Sequence, residues 1–218
     1  MEKPYVVGID IGGQTAKLGL VDARGNVLAQ TVIKSNDTDS YEVFIDNLCE
    51  AIKKMVNAEY SMDQVRGIGI GAPNGNYYKG TIENAVNLTF GGTRVIPFAE
   101  TMSKKIGLPV RLTNDANAAA VGEMTYGAAR GMKNFIMITL GTGVGSGIVS
   151  GGNLIYGHDG LAGELGHVTA YEREGRQCGC GRIDCLETYA SATGFVRTAK
   201  AWLEKRDDAT VLRNVAPE

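Results

Sequence analysis

The chain has 218 residues, which is enough for one or two domains with a buried core. Its hydrophobic content of 44% and charged content of 21% are those of a soluble globular protein. The formal net charge is −2 and no basic block is present, which argues against nucleic acid and anionic membranes as partners. There is no apolar run of membrane-spanning length and no signal-peptide pattern, so we expect a cytoplasmic protein.

Hydrophobic periodicity predicts strands and helices that alternate along the chain, which indicates an α/β fold. Glycine-rich or polar turns separate most of these elements. In chain order we expect strands at 5–9, 15–22 and 27–33, a helix at 40–58 capped by Ser40, a strand at 65–71, a helix at 97–106, a strand at 110–113, a helix from Asn114–Asp115 to about 126, strands at 135–140 and around 148–150, and a final helix at about 186–205.

An internal repeat is visible in three short segments. Residues 9–13 resemble 138–142, residues 19–21 resemble 147–149, and residues 25–28 resemble 152–155. The offset between the copies changes only from 129 to 127 residues. Chance similarity between glycine-rich hairpins is the alternative, but the steady offset favours duplication. We therefore expect two related α/β lobes, at residues 1–114 and 115–218.

Two glycine-rich turns occupy corresponding positions in the two copies. Turns of this kind expose backbone N–H groups and let a phosphate approach closely, although each could be a plain β-turn. Asp10 precedes the first turn, where a carboxylate could hold Mg²⁺ against nucleotide phosphates or simply cap the turn. The turn residues concerned are Gly12 and Gly13 in the first copy and Gly141, Thr142 and Gly143 in the second.

Asn114 and Asp115 stand where a predicted strand meets the start of a helix. The helix dipole favours an ionised carboxylate there, and such a group could accept a hydroxyl proton during phosphoryl transfer. The alternative is that either residue is merely an N-cap.

Cys178, Cys180 and Cys185 lie within eight residues, with His167 just upstream. Three thiolates and an imidazole are a common closed zinc set, and clustered cysteines outside an oxidising compartment favour metal over a disulfide. One disulfide with a spare thiol is the alternative. Cys49 lies on an apolar helical face and is expected in the core.

Polar side chains that could accept sugar hydroxyls surround the cysteines. Glu164 and His167 are three residues apart and would share one face of a helical turn, and Glu187 follows the last cysteine. The amide of Asn87, with those of Asn74 and Asn76, could serve sugar recognition or form turns.

These motifs stand in a fixed order along nearly the whole chain. They are Asp10-Ile-Gly-Gly, Pro73-Asn-Gly-Asn, Asn114-Asp-Ala-Asn-Ala-Ala, Gly141-Thr-Gly-Val-Gly-Ser-Gly, Glu164-Leu-Gly-His and Cys178-x-Cys-Gly-x-x-x-Cys-x-Glu. Together they resemble the ROK family of sugar kinases, a group named for repressors, open reading frames and kinases.

The resemblance implies an actin-like ATPase (ribonuclease H-like) fold with two lobes around a cleft that holds ATP and a sugar. It implies ATP-dependent phosphorylation of a hexose, with glucose as the first choice, at the 6-hydroxyl, and Asp115 as the catalytic base. It also implies a structural zinc ion, Mg²⁺ as a cofactor and a homodimer. The implied sugar contacts are Asn87, Asn114, Asp115, Glu164, His167 and Glu187; the implied zinc ligands are His167, Cys178, Cys180 and Cys185; the implied ATP contacts are Asp10, Gly12, Gly13, Gln14, Thr15, Gly141, Thr142 and Gly143.

The chain departs from the family pattern at several points. Gln14 replaces the usual threonine of the first turn, so Thr15 or the Gln14 amide would take its place. Asp184 stands where glycine usually precedes the last cysteine, and aspartate tolerates the left-handed backbone expected there. Family members usually continue for about another hundred residues, so we expect an incomplete second lobe. A regulatory or non-catalytic sugar-binding protein, or an inactive kinase fragment, is the alternative function.

Overall fold

The computed structural model describes residues 3–92, 94–170 and 175–214. Strands and helices alternate through most of the chain, as the periodicity predicts. The strands are β1 (Tyr5–Ile11), β2 (Thr15–Val21), β3 (Val27–Lys34), β4 (Val65–Ala72), β5 (Gly75–Asn76), β6 (Thr81–Glu83), β7 (Val95–Ile96), β8 (Val110–Asn114), β9 (Phe135–Leu140), β10 (Val144–Ser150) and β11 (Asn153–Leu154). The α-helices are α1 (Tyr41–Val56), α2 (Phe98–Ile106), α3 (Asp115–Tyr126), α4 (Glu187–Ala190) and α5 (Ala192–Lys205), and short 3₁₀ turns cover Met62–Gln64, Leu165–His167 and Val211–Asn214.

A five-stranded sheet in the order β3-β2-β1-β4-β8 forms the centre of the first half of the chain. β1 pairs antiparallel with β2 and parallel with β4, and β4 pairs parallel with β8. Parallel strands need a crossover connection, and here α1 and α2 supply the crossovers to β4 and β8. The carboxyl ends of three neighbouring parallel strands therefore lie at one edge of the sheet, where ligands bind in open α/β sheets.

The core of this half lies between the sheet and α1. Ser40 caps the helix, because its hydroxyl accepts a hydrogen bond from the Val43 N–H at 3.3 Å. The Phe44 ring stacks on the Phe90 ring with 4.7 Å between centroids, and both side chains are fully buried. Cys49 is buried on the same helix, so its predicted place in the core is confirmed.

The predicted final helix at about 186–205 is wrong as a single element. It is two helices, α4 and α5, separated at Ser191. Ser191 has an extended backbone (φ −75°, ψ 166°) and its hydroxyl accepts from the Gly194 N–H at 3.0 Å, so it stops one helix and caps the next. The short strands β5, β6, β7 and β11 have no counterpart in the sequence-based prediction, since elements of two or three residues carry too little periodicity.

The repeated segments have the same strand order. In the first, β3, β2 and β1 are hydrogen-bonded neighbours in that order, and in the second, β11, β10 and β9 form a three-stranded sheet in the matching order. A third small sheet consists of β5, β6 and β7. The shared order of strands is what a duplicated strand–turn–strand unit predicts.

The chain divides into two compact units. The first comprises Met1–Met137 with Gly147–Gly163, and the second comprises Ile138–Ser146 with Glu164–Glu218. The predicted N-terminal lobe at 1–114 and the partial C-terminal lobe at 115–218 stay a prediction. Across the described ranges, no helix has both the length and the apolar character needed to cross a bilayer.

Candidate active site and metal centre

The first glycine turn, in the first unit, is closed by backbone hydrogen bonds. The Gly12 N–H donates to the Thr15 carbonyl at 2.9 Å. Ser35 braces the turn from behind: its hydroxyl donates to the Gly12 carbonyl at 2.6 Å, and its N–H donates to the Gln14 carbonyl at 3.0 Å. Ser35 is fully buried. It is a site residue that sequence reasoning missed, because a serine just after a strand has no distinguishing pattern.

Asn87 lies beside this turn. A Cβ added at Gly13 would come within 2.8 Å of the Asn87 carbonyl oxygen, which is closer than carbon and oxygen atoms pack. Gly13 is therefore needed for the close approach of two backbone segments. The Asn87 side chain is exposed, so the structure brings this predicted sugar contact next to the predicted phosphate turn.

Asp10 and Asp115 lie at the same edge of the sheet. Asp10 is the partner of Gly71 in the β1–β4 pairing, and Gly71 is the partner of Thr113, two residues before Asp115. A Cβ at Gly71 would lie 3.1 Å from the Ala118 Cβ of α3, tighter than most carbon contacts, and 3.4 Å from the Asp115 Cα. The glycine thus lets the start of α3 pack directly on β4.

Asn114 is the N-cap of α3. Its side-chain oxygen accepts from the Ala116 N–H at 2.9 Å and from the Asn117 N–H at 3.3 Å. The Asp115 Oδ1 also accepts from the Ala116 N–H, at 2.8 Å. The capping alternative is therefore correct for Asn114, and its amide NH₂ is the group left for a ligand. Asp115, the first residue of the helix, keeps an exposed side chain.

The pKa of Asp115 is raised above its ordinary value. Loss of water around the carboxyl is the main cause, and the nearby Asp10 carboxylate raises it further, while hydrogen bonds from backbone N–H groups partly oppose the shift. A carboxylate with a raised pKa is a better proton acceptor than an ordinary one, which suits a general base.

Asn74 and Asn76 form turns. Asn74 has a left-handed backbone (φ 52°) and its amide donates to the Glu83 and Asn84 carbonyls at 3.0 and 3.1 Å. The buried Asn76 donates to the Asp159 carbonyl at 3.0 Å and accepts from the Tyr78 N–H. Of the two readings of these amides, turn formation is the one their contacts support.

The second glycine turn, in the second unit, is held by the start of α5. The Gly141 N–H donates to the Gly143 carbonyl at 3.0 Å within the turn. From α5, the Ala192 N–H donates to the Gly141 carbonyl at 2.9 Å and the Thr193 hydroxyl donates to the Thr142 carbonyl at 3.0 Å. These contacts use the Gly141 N–H and the three turn carbonyls, so the Thr142 and Gly143 N–H groups are the donors that the described contacts leave for a ligand.

Glu187 is anchored beside this turn. Its Oε2 accepts from the Val144 N–H at 3.0 Å, and a Cβ at Gly143 would overlap the carboxylate. Glu187 is half-buried at the start of α4. The structure thus places Glu187, a predicted sugar contact, next to the second predicted phosphate-binding turn.

His167, Cys178, Cys180 and Cys185 converge in the second unit, with their ligand atoms within 4.8 Å of one another. The Cys180 and Cys185 sulfurs are 3.7 Å apart, and the Cys178 sulfur is 3.7 Å from the His167 Nδ1. Sulfurs in a disulfide are about 2.05 Å apart, so no disulfide joins the three clustered cysteines. Cys49 is a free thiol as well.

The separations fit a tetrahedral zinc ion. Two sulfurs each about 2.3 Å from zinc at the tetrahedral angle are about 3.8 Å apart, and a sulfur and an imidazole nitrogen are slightly closer. Two of the six ligand-atom pairs match this geometry at 3.7 Å, and all six lie within 4.8 Å, so small side-chain adjustments would close the four atoms around one ion. The donor set, three thiols and one imidazole, is also one that zinc prefers.

His167 is held in place by a neighbouring cation. The Arg182 guanidinium donates to the His167 carbonyl at 2.5 Å, and its position beside Cys180 raises the pKa of the guanidinium. Glu164 immediately precedes the 3₁₀ turn that contains His167, and its side chain is exposed. The Glu164 backbone is not helical (φ −75°, ψ 51°), so the expected shared face of Glu164 and His167 stays a prediction.

The predicted site residues therefore form two groups. The first unit brings together the first turn, Asn87 and the two residues at the start of α3, and the second unit brings together the second turn, Glu187 and the cysteine–histidine cluster.

The sequence pattern that defines the ROK family matches residues 6–217. The chain belongs to the ROK family. The fold is the actin-like ATPase fold of ROK sugar kinases, as the resemblance implied.

Individual relatives include kinases and repressors. The chain is 41% identical to a glucokinase of Halalkalibacterium halodurans over 91% of its own length and 60% of that protein's. It is 36% identical, with a TM-score of 0.77, to a solved ROK family glucokinase from Streptomyces griseus in complex with glucose and AMPPNP, covering 92% of this chain and 62% of that one. It is 31% identical to the xylose repressor of Bacillus subtilis over 89% of its own length and 50% of that protein's. The chain thus spans about three fifths of the length of the glucokinases it matches.

Proposed function

We propose that this chain is a ROK sugar kinase that transfers the γ-phosphoryl group of ATP to the 6-hydroxyl of a hexose, with glucose as the first choice. The observation that carries the proposal is Asp115: an accessible carboxylate with a raised pKa at the start of α3, beside Asp10 and at the edge of the sheet where ligands bind. Similarity to glucokinases, one of them solved with glucose and AMPPNP, supports the same reaction.

Asp115 acts as the general base in the proposed reaction. Its carboxylate accepts the proton of the 6-hydroxyl while that oxygen forms a bond to the γ-phosphorus and the bond from phosphorus to the ADP oxygen breaks. Phosphoryl transfer has a loose transition state, so orientation of the hydroxyl matters as much as proton removal. Partial loss of water around the carboxyl and the nearby Asp10 charge raise the pKa of Asp115, so its proton affinity is raised for this step while the side chain stays accessible to a hydroxyl.

The sugar contacts are proposed from the hydrogen-bond donors and acceptors that each side chain does not use within the protein. The Asn114 oxygen is used as a cap, so its NH₂ would donate to a hydroxyl. His167 faces Cys178 through Nδ1, so metal binding there would leave its Nε2 for the sugar. Glu164, Glu187 and Asn87 would supply further acceptors.

ATP phosphates would bind at the two turns. Backbone N–H groups of glycine turns suit phosphate oxygens, and Asp10 would hold Mg²⁺ directly or through water. The residues proposed for ATP are Asp10, Gly12, Gly13, Gln14 and Thr15 in the first unit and Gly141, Thr142 and Gly143 in the second.

Zinc would be structural, held by His167 and the three clustered cysteines. A closed four-ligand site supplies folding energy and a fixed loop, not a Lewis acid with an open position. A homodimer in the cytoplasm completes the proposal.

A regulatory function is the second candidate, and the similarity to the xylose repressor is the observation that favours it. Such a protein would bind the sugar without transferring phosphate. The two candidates predict different behaviour with ATP present.

The test is ADP release by the 218-residue chain with ATP, Mg²⁺ and a panel of hexoses and N-acetylhexosamines, alongside calorimetric titration of the same sugars. Sugar-dependent ADP release supports the kinase and identifies the substrate. Sugar binding without ADP release contradicts catalysis by this chain and supports the second candidate. If the chain shows no sugar binding and no ADP release, both candidates are contradicted.

A further inference from the structure

Asp184 stands immediately before the zinc-cluster residue Cys185, and the contacts around it are unusual for a turn position. The residue has a left-handed backbone (φ 56°), which glycine adopts without strain and aspartate adopts at some cost. Its side chain is nonetheless almost fully buried, with 2% exposed. A buried carboxylate is unfavourable unless its oxygens are hydrogen-bonded and its charge is compensated.

Both oxygens of the Asp184 carboxylate are hydrogen-bonded within the second unit. Oδ1 accepts from the Arg176 N–H at 2.7 Å and from the Tyr189 hydroxyl at 2.6 Å, and Oδ2 accepts from the Gly175 N–H at 3.1 Å. The backbone of Asp184 is paired as well, since its N–H donates to the Arg176 carbonyl at 2.8 Å and its carbonyl accepts from the Ala170 N–H at 2.9 Å.

The positive charge of Arg176 lies in the same cluster. Arg176 is buried, its guanidinium stacks on the Tyr189 ring with 4.2 Å to the centroid, and it donates to the Thr188 carbonyl and the Thr198 hydroxyl at 3.1 and 2.8 Å. Asp184, Arg176 and Tyr189 therefore form one network that joins the loop before Cys178 to α4 and α5.

Two arms of this network end close to predicted zinc ligands, and the third ends close to the predicted sugar contact Glu187. Arg176 is two residues before Cys178, Asp184 adjoins Cys185, and Tyr189 is in α4, two residues after Glu187. Fixing these three points fixes the separation of the first and last cysteines and the orientation of the helix that begins at Glu187. Charge-assisted hydrogen bonds are strong enough to hold such a loop before any metal binds.

We propose that Asp184 is a positioning residue of the metal centre: its carboxylate, clamped by Arg176 and Tyr189, holds the cysteine loop in the geometry that zinc requires. A glycine at this position would permit the same backbone but would provide no clamp. The inference rests on the proposed zinc site, and it concerns how tightly that site binds metal and how regular its geometry is.

The test measures metal binding directly, on the 218-residue chain. Zn²⁺ affinity is obtained by competition with a chromophoric chelator, and the visible absorption of bound Co²⁺ reports the coordination geometry. Asp184→Gly removes the carboxylate and keeps the left-handed backbone accessible. Asp184→Asn keeps the shape but replaces one acceptor oxygen with an NH₂ that would face N–H or O–H donors.

We expect both variants to bind Zn²⁺ about 10- to 100-fold more weakly and to give weaker, altered Co²⁺ absorption, because loss of outer partners of metal ligands has effects of about this size. Tyr189→Phe removes one hydrogen bond and should give a smaller loss in the same direction. It also guards against the case in which an Asp184 variant does not fold. Asp208→Asn, an exposed carboxylate paired with Arg206 in the same unit, is the matched control and should leave both measurements unchanged.

Wild-type affinity and wild-type Co²⁺ absorption in Asp184→Gly and Tyr189→Phe would overturn the proposal. A wild-type chain that binds neither Zn²⁺ nor Co²⁺ would overturn the metal centre itself, and this is established before any variant is compared. A defect in kinase activity with unchanged metal binding would also contradict the assignment, since it would place the role of Asp184 elsewhere.

Discussion

Asp115 carries the strongest functional argument at the scale of single residues. Its position at the start of α3 could be predicted from the strand–Asn–Asp–helix pattern, and so could the cysteine–histidine cluster, because ligand types and spacing survive without knowledge of the fold. The residues that hold these side chains in place could not be predicted from the sequence. Ser35 and Arg176 act through contacts with residues 21 to 23 and 8 to 22 positions away, which no local pattern reveals.

Asp115→Asn is expected to lower kcat by about 100- to 10,000-fold, the usual contribution of a general base, with a smaller change in sugar affinity. The amide keeps the shape of the side chain but cannot accept the proton. Steady-state ADP release and calorimetric sugar titration measure the two effects. Turnover equal to that of the wild type would exclude Asp115 as the base.

The raised pKa of Asp115 predicts a pH effect on activity. The base is lost as the pH falls through this pKa, so the acid limb of the kcat/KM profile should lie above about 3.9, the ordinary value for aspartate. A profile of kcat/KM between pH 4 and 8 checks this. An acid limb at or below the ordinary value would contradict the assignment.

The same pKa predicts a stability effect. Folding favours the protonated form of a carboxyl whose folded pKa is raised; that contribution is present below the unfolded pKa and is lost as the pH rises through the folded pKa. At pH 7 the ionised carboxylate weakens the fold, so Asp115→Asn should raise Tm at pH 7 and change it less near pH 3. Thermal unfolding at the two pH values measures the difference, and an equal or reversed effect would be evidence against the raised pKa.

Cys180→Ser is expected to reduce bound zinc from about one ion per chain to well below one, since a structural site uses all four ligands. Metal analysis after dialysis provides the measurement. Cys49→Ala is the matched control, because Cys49 is a buried thiol on α1 outside the cluster and its loss should leave the zinc content unchanged. Absence of zinc from the wild-type chain would contradict the site.

At the scale of elements, the sequence-based prediction is more accurate for long helices and strands than for short ones. α1 and the strands of the five-stranded sheet have enough residues for a clear period and were predicted within a few residues. The break between α4 and α5 was missed because Ser191 competes for a backbone N–H, an interaction that leaves the apolar pattern unchanged.

Gly143→Ala is expected to destabilise the second unit by about 0.5–1.5 kcal/mol, because the added methyl would displace the Glu187 carboxylate from its hydrogen bond with the Val144 N–H. Gly141→Ala in the same turn is the control for stability, since a Cβ there meets open space. Urea unfolding compares the two variants. Equal losses of stability would show that Glu187 can move away without cost.

At the scale of the whole molecule, the fold class and family were accessible from ordered motifs, whereas the extent of the compact units was not. The segment Gly147–Gly163 belongs by its contacts to the first unit although it follows residues of the second. Asn76 illustrates why, since its amide binds the Asp159 carbonyl 83 positions along the chain. Contacts at such separations are fixed by the folded chain as a whole.

Cys180 is the exposed cysteine of the metal cluster, whose other two cysteines, Cys178 and Cys185, are only 4% and 1% exposed. In the proposed holoprotein the metal acts as a protecting group for this thiol. Once the metal leaves, electrophiles and oxidants reach Cys180 first, and an alkylated or over-oxidised sulfur can no longer ligate. Metal loss would then become irreversible, so the useful lifetime of a purified sample would depend on chelators and air more than on temperature.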